Sequence, residues 1–183
     1  DDVMIDGVGD DTYFGGAGAD DMRDGAGDDI YFAVALEEGG APAEDTYDGD
    51  HIVLKSGLDL VFAGQDDQII FQGGDGVIAL GDYGQATAGH ESASIRNLTD
   101  DSSFAYFYAQ GEVDAPAPDM KLVFDPESDL TRIMADGLEV GMIEGGNWED
   151  RGVAISTIPY DPALIADDGI EALQELLIGE SIT

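Results

Sequence analysis

Residues 6–32 read DGVGDDTYF, GGAGADDMR and DGAGDDIYF when written in nines. Glycine recurs at Gly7, Gly16 and Gly25, and again at Gly9, Gly18 and Gly27. Aspartate recurs at Asp11, Asp20 and Asp29, and a large side chain (Tyr13, Met22, Tyr31) follows each two residues later. The preceding DDVMI fits the end of one more unit, with Asp2 and Met4 in those two slots. A fixed period held at several slots marks an internal repeat. A merely flexible Gly/Asp segment would have no reason to keep Tyr, Met and Tyr in register.

The residue types indicate the chemistry. Glycine lets a tight turn adopt positive φ and aim carbonyl oxygens at one spot. Aspartate at the end of that turn adds a carboxylate. A donor set of hard oxygens, with no sulfur or imidazole, suits calcium better than zinc or copper. The residues after each aspartate form a short strand whose large side chain points inward. Stacked units would bury a thin apolar core and align columns of aspartates.

This stretch resembles the repeats-in-toxin (RTX) family, the hemolysin-type calcium-binding nonapeptide, whose repeat is GGxGxDxUx. The resemblance implies a parallel β-roll in which two nonapeptides make one coil, with calcium between turns on the same edge. Carried onto this chain, it places Asp11 with Asp29 in one column and Asp2 with Asp20 in the other. Backbone oxygens near Gly7, Gly9, Gly16, Gly18, Gly25 and Gly27 would complete the shells. The chain departs from the motif at Asp6 and Asp24, which stand where the first glycine belongs.

Composition narrows the classes. The chain has 183 residues, with 6 basic and 41 acidic side chains and a formal net charge of −35. That length suits one or two domains, and an apolar content of 43% supports a core. Self-repulsion at this charge opposes compaction unless cations neutralise it. Nothing offers phosphates a basic patch, so nucleic acid is excluded as a partner. Anionic membrane surfaces are disfavoured for the same reason, and no run reaches membrane-spanning length. With no cysteine, disulfides and thiolate metal sites are ruled out. The family resemblance implies a bacterial protein exported unfolded and folded outside the cell by calcium. A start inside a repeat unit is expected of a piece of a longer protein.

The expected fold is all-β. A calcium-binding roll over 1–32 is followed by a loop excursion at 33–45, where Gly39, Gly40 and Pro42 break the period. A second, degenerate set of repeats follows over 46–84. In nines it reads KSGLDLVFA, GQDDQIIFQ and GGDGVIALG from Lys55 to Gly81. Phe62, Phe71 and Leu80 then take the inward slot, and Leu60, Ile69 and Ile78 take the aspartate slot. Coils in that register are expected to be held by apolar stacking, with the main carboxylate gone and little or no ion bound; the alternative is that Asp59, Asp66, Asp67 and Asp75, in or near the turns, bind an ion in a different way. Residues 85–160 are expected to form a small antiparallel β unit, with strands at Ser103–Ala109, Leu122–Phe124 and Val153–Ile158. Leu130–Ala135 and Leu138–Ile143 flank Asp136–Gly137, a two-residue hairpin signal. Residues 161–183 carry a helical signal. Asp168 and Glu171 make a capping box, Ile170, Leu173, Leu176 and Leu177 share a face, and Gly179 stops it. This segment is a cap for the β unit or part of a secretion signal.

No catalytic constellation stands out. His51 and His90 lie in no paired metal spacing, no GxSxG elbow is present, and Gly73–Gly76 lacks a phosphate-loop lysine. Trp148 beside Gly145–Asn147 reads as an apolar anchor rather than a sugar platform. The expected function is a non-enzymatic, secreted, calcium-binding structural module at the cell surface or outside it. Two alternatives remain open: a calcium-dependent assembly subunit (surface layer, adhesin or filament) using the roll faces and Phe104–Tyr108, or the C-terminal tail of a type I secreted enzyme.

Overall fold

Short strands separated by glycine- and aspartate-rich turns enter two facing sheets alternately. The computed structural model describes residues 2–5, 7–15, 20–23, 25–27, 29–33, 49–55, 57–63, 66–73, 75–81, 92–109 and 116–160. The strands are β1 (Val3–Ile5), β2 (Thr12–Phe14), β3 (Asp21–Arg23), β4 (Ile30–Phe32), β5 (His51–Leu54), β6 (Leu58–Phe62) and β7 (Gln68–Phe71). They continue as β8 (Asp75–Gly81), β9 (Ala93–Arg96), β10 (Ser103–Ala109), β11 (Met120–Asp125), β12 (Leu130–Ala135) and β13 (Leu138–Glu144). One short helix, α1 (Trp148–Arg151), precedes β14 (Ile155–Tyr160).

Among these residues one sheet runs β1-β3-β5-β7-β9-β13-β12-β11 and the other β14-β10-β8-β6-β4-β2. The pairs from β1 to β9 and from β2 to β10 are parallel, each strand meeting the one two places on in sequence. Met4 therefore faces Met22, and Tyr13 faces Tyr31. The offset between neighbouring coils is 18 residues in the first coils, 30 across residues 34–48 and 17 in the next coil. The register survives both changes, because alternation along each strand forbids a one-residue slip that would turn apolar side chains outward.

The core lies between the sheets. Met22, Ile52 and Ile69 form its column on one side; Tyr31, Val61 and Ile78 form the column on the other. The rings of Tyr13 and Tyr31 stack at 4.7 Å, nearly coplanar. Each fully buried large side chain of this kind contributes roughly 1.5–3 kcal/mol, so repetition of the slot supplies the driving force for coiling. A second stack stands on the opposite face of the even-numbered sheet. There Phe14 meets Phe32 at 4.8 Å, Phe32 meets Phe62 at 5.0 Å, and Phe62 meets Phe107 at 6.1 Å.

Two sequence expectations change. Phe62 was expected to point inward with Phe71 and Leu80; it belongs to the outer aromatic stack, and Val61 takes the inward slot. Phe71 and Leu80 do join the core, beside Ile69 and Ile78. The antiparallel unit expected over 85–160 is confined to β11, β12 and β13. Strands β9, β10 and β14 extend the parallel sheets instead. Ile95 and Phe104 fit the inward columns, so the parallel stacking continues after the period of nine has gone. The Asp136–Gly137 hairpin is present, with both residues at positive φ (49° and 85°), as a primed two-residue turn requires. Trp148 is buried at 2% exposure, its backbone N–H donates to Thr131 Oγ1, and Arg151 lies over its ring. The excursion at 33–45 (beyond Ala33) and the helix expected over 161–183 lie outside the described residues.

The turns stack as closely as the strands. A β-carbon on Gly25 would stand 1.6 Å from the Gly7 carbonyl oxygen, and one on Gly27 would stand 1.9 Å from that of Gly9. A β-carbon on Gly7 would meet nothing within 4 Å. Gly25→Ala is therefore expected to destabilise the fold by at least about 2 kcal/mol, in the overpacking range. Gly7→Ala should lose well under half of that. Urea unfolding of the two variants side by side checks this.

Candidate metal centre

The aspartates that end the turns form two ladders. Each backbone N–H donates to the carboxylate of the aspartate one coil further along. In the first ladder the Asp2 N–H donates to Asp20 Oδ1, the Asp20 N–H to Asp50 Oδ1 at 2.7 Å, and the Asp50 N–H to Asp67 Oδ1 at 2.9 Å. In the second, Asp11 donates to Asp29 at 2.8 Å and Asp29 to Asp59 at 3.1 Å. Asp20, Asp29, Asp50, Asp59 and Asp67 are all at most 2% exposed. Asp2 and Asp11, in the first described coil, are exposed.

The structure thus brings Asp2 to Asp20 and Asp11 to Asp29. It also adds Asp50, and it puts Asp59 and Asp67, which the sequence offered only as turn aspartates of a different kind, into the same two ladders. The reading in nines put Leu60, Ile69 and Ile78 in the aspartate slot. The backbone register puts Asp59 opposite Gly76 and next to Asp29 in its column, and Asp50 between Asp20 and Asp67. The offset of 17 residues between Asp50 and Asp67 hides this from a search at strict period nine. The usable signal was the local triplet of aspartate, any residue, then a buried apolar residue: Asp50–Ile52, Asp59–Val61 and Asp67–Ile69.

Beyond these coils the ladder changes chemistry. Gly76 occupies the aspartate position, and its N–H donates to Ser102 Oγ at 3.0 Å. Thr99 Oγ1 lies 2.7 Å from both Ser102 Oγ and Asp75 Oδ1. A neutral hydroxyl replaces the carboxylate as the acceptor.

The carboxylates converge on the turn interior. Oδ2 of Asp20, Asp29, Asp50 and Asp59 is closed off from solvent. A β-carbon placed on Gly15 would stand 3.0 Å from Asp50 Oδ2, 3.2 Å from Asp20 Oδ2 and 3.5 Å from the Phe32 carbonyl oxygen. Two carboxylate oxygens and a carbonyl thus face one small space that only glycine leaves open. All-oxygen donors of this kind match a hard cation such as calcium. Of the turn glycines expected to lend backbone oxygens, Gly7, Gly9, Gly25 and Gly27 lie in the stacked turns; Gly16 and Gly18 lie outside the described residues. Among the described residues no three His, Cys, Asp or Glu side chains gather as a metal group. A cation here would take two carboxylates and complete its shell from the backbone.

The charge balance is one-sided. Adjacent carboxylates in a ladder sit about one strand spacing apart, ~4.8 Å, and at an effective dielectric of ~20 each like-charged pair opposes folding by about 3 kcal/mol. The arginines are committed elsewhere: Arg23 to Asp21, Arg96 to Glu144, Arg132 to Glu139 and Asp125, and Arg151 to Asp100. Lys121 pairs with Asp119. On the sheet surface the Arg23 guanidinium, with His51 behind it, holds the Asp21 carboxyl below the usual carboxylate range.

The chain matches no protein-family model, no curated protein and no solved structure. No helix among the described residues is long and apolar enough to cross a membrane.

Ser102→Ala removes the acceptor of the Gly76 N–H at a buried position. It should cost about 1–3 kcal/mol of stability in chemical unfolding.

Proposed function

We propose that this chain is a calcium-binding β-roll, a secreted, non-enzymatic structural module of RTX type that folds outside the cell when it meets calcium. One observation carries this reading: two continuous ladders of aspartates, Asp2–Asp20–Asp50–Asp67 and Asp11–Asp29–Asp59, exposed at Asp2 and Asp11 and buried from Asp20 and Asp29 onward. Each of the five buried carboxylates accepts a backbone N–H, but like charges in two close files still oppose folding, and a cation between them offsets that repulsion. The acidic excess, the stacked glycine turns and the space beside Gly15 between Asp20 and Asp50 support the same reading.

The roles of the residues follow. The Oδ1 atoms hold the register by accepting the N–H of the preceding coil. The Oδ2 atoms and turn carbonyls are the donors available to the ion. Calcium supplies positive charge between successive turns. Glycine keeps the turns thin enough for those carbonyls to come within reach. The unfolded chain has no preformed site, so binding free energy is folding free energy. Affinities of roughly 10⁻⁴–10⁻³ M, typical of extracellular modules, would suffice outside the cell. Cytoplasmic calcium would leave the chain unfolded for export.

Circular dichroism tests the reading. In EDTA the spectrum should be mostly coil, and added calcium should restore the β signal; magnesium, which prefers a tight octahedral water shell, should do so poorly. A spectrum indifferent to calcium overturns the proposal. Asp50→Asn sharpens the test, because it keeps an oxygen for the Asp20 N–H and removes only the charge. In EDTA variant and wild type should both be mostly coil. In calcium the variant should raise the folding midpoint for the ion by about tenfold or more, equivalent to ~1.4 kcal/mol. A merely structural aspartate would leave that midpoint where it is.

A further inference from the structure

Beyond the ladders, the antiparallel end of the odd-numbered sheet presents a strand built to pair with itself. Strand β11 is the last strand of that sheet, and among the described residues it pairs only with β12. An open groove of about 620 Å³ runs along it, lined by residues 120–124 of the strand together with Glu149, Val153 and Ile155. The edge is therefore reachable from outside.

The backbone polarity of this edge can be assigned. The Asp136 N–H donates to the Asp119 carbonyl at 3.1 Å, and the register runs unbroken from Met120↔Ala135 to Asp125↔Leu130. Lys121, Val123 and Asp125 share the parity of Asp119, so their N–H and C=O groups turn toward β12. Those of Met120, Leu122 and Phe124 turn toward the open edge. Side chains alternate in the same way. Lys121, Val123 and Asp125 stand on the outer face, where Val123 is 45% exposed. Met120 and Leu122 lean toward the core.

We propose that β11 is a self-docking edge, through which two copies of this chain pair antiparallel about a two-fold axis at Val123. Centring the pair on Val123 places Lys121 opposite the partner's Asp125, twice by symmetry. It also places Leu122 opposite the partner's Phe124. The Leu122 and Phe124 pairs exchange edge hydrogen bonds, while 121, 123 and 125 fall at the non-hydrogen-bonded positions where side chains approach most closely. Half-buried Leu122 and Phe124 from both copies would close the groove. The interface is isologous, so it stops at a dimer.

Charge complementarity selects this occupant. A chain of net charge −35 repels its own copies over most of its surface. Here Lys121, one of only 6 basic residues, already meets Asp119 of its own strand and stands four positions before Asp125, which lies 4.0 Å from Arg132; reversing the strand sets each of these local pairs beside its opposite sign in the partner. The Ser128 hydroxyl and the Glu127 N–H hold the Asp125 carboxyl below the usual range, so it remains ionised. This inference does not depend on which ion fills the ladders, only on the chain being folded.

Sedimentation equilibrium of the folded chain tests it, with circular dichroism confirming the fold of each variant. The wild-type protein should show a reversible monomer–dimer equilibrium. Lys121→Glu, which sets like charges opposite each other twice, should weaken the dimer about tenfold or more, and the double variant Lys121→Glu/Asp125→Lys should restore it. Because Asp125 also caps its own turn, Leu122→Pro provides a second route. It removes a donor directed only at the open edge, so the variant should fold and remain monomeric. A monomer at all concentrations, or a dimer unmoved by both Lys121→Glu and Leu122→Pro, overturns the proposal. Either result leaves the calcium response unaffected, so this failure is distinguishable from a failure of the metal reading.

Discussion

Everything in the coiled part depends on one repeated hydrogen bond, from the backbone N–H of an aspartate to the carboxylate of the aspartate one coil along. It fixes the stacking of the turns in the way the sheet ladders fix the stacking of the strands. A buried N–H requires an acceptor, and at this position the next strand's backbone does not supply one. A carboxylate meets the need through one oxygen and leaves the second facing the turn interior. The same residue therefore secures the register and creates a charge problem. The coils Asp20–Asp50 and Asp29–Asp59 show both effects, with strong ladder bonds and fully buried acids.

Glycine and aromatic residues settle what remains of the geometry. Carbonyl oxygens of Gly7 and Gly9 occupy the space where side chains on Gly25 and Gly27 would begin. The turns could not be as thin as the strands with any other residue there. Between the turns, Tyr13 stacks on Tyr31 inside, and Phe14, Phe32 and Phe62 stack outside. Identical side chains at one strand spacing fit ring on ring, so the sequence repeat becomes a contact repeat. Along the chain this ionic architecture fades. At Gly76 and Ser102 a hydroxyl takes the acceptor role, and the core there is aliphatic and aromatic without buried acids in the ladder position. An antiparallel hairpin pair and α1, pinned by Trp148, follow the parallel coils.

The period of nine in residues 6–32 determined by itself that short strands would stack, that Met22 and Tyr31 would point inward, and that Asp20 and Asp29 would line the turns; their parallel direction was only what the family resemblance implied. The Asp136–Gly137 hairpin was equally legible, because its turn chemistry is local. Tertiary structure alone decided the membership of Asp50, Asp59 and Asp67 in the ladders, since an offset of 30 residues and then one of 17 break any fixed period while leaving the strand register whole. It also decided that β9, β10 and β14 join the parallel sheets and that Phe62, still fully buried, lies on the sheet face opposite Val61. The physical reason is the same in each case. Pairing between strands is set by which face of a partner a side chain must reach, and that partner lies 17 to 30 or more residues away, beyond the range over which a local pattern carries information.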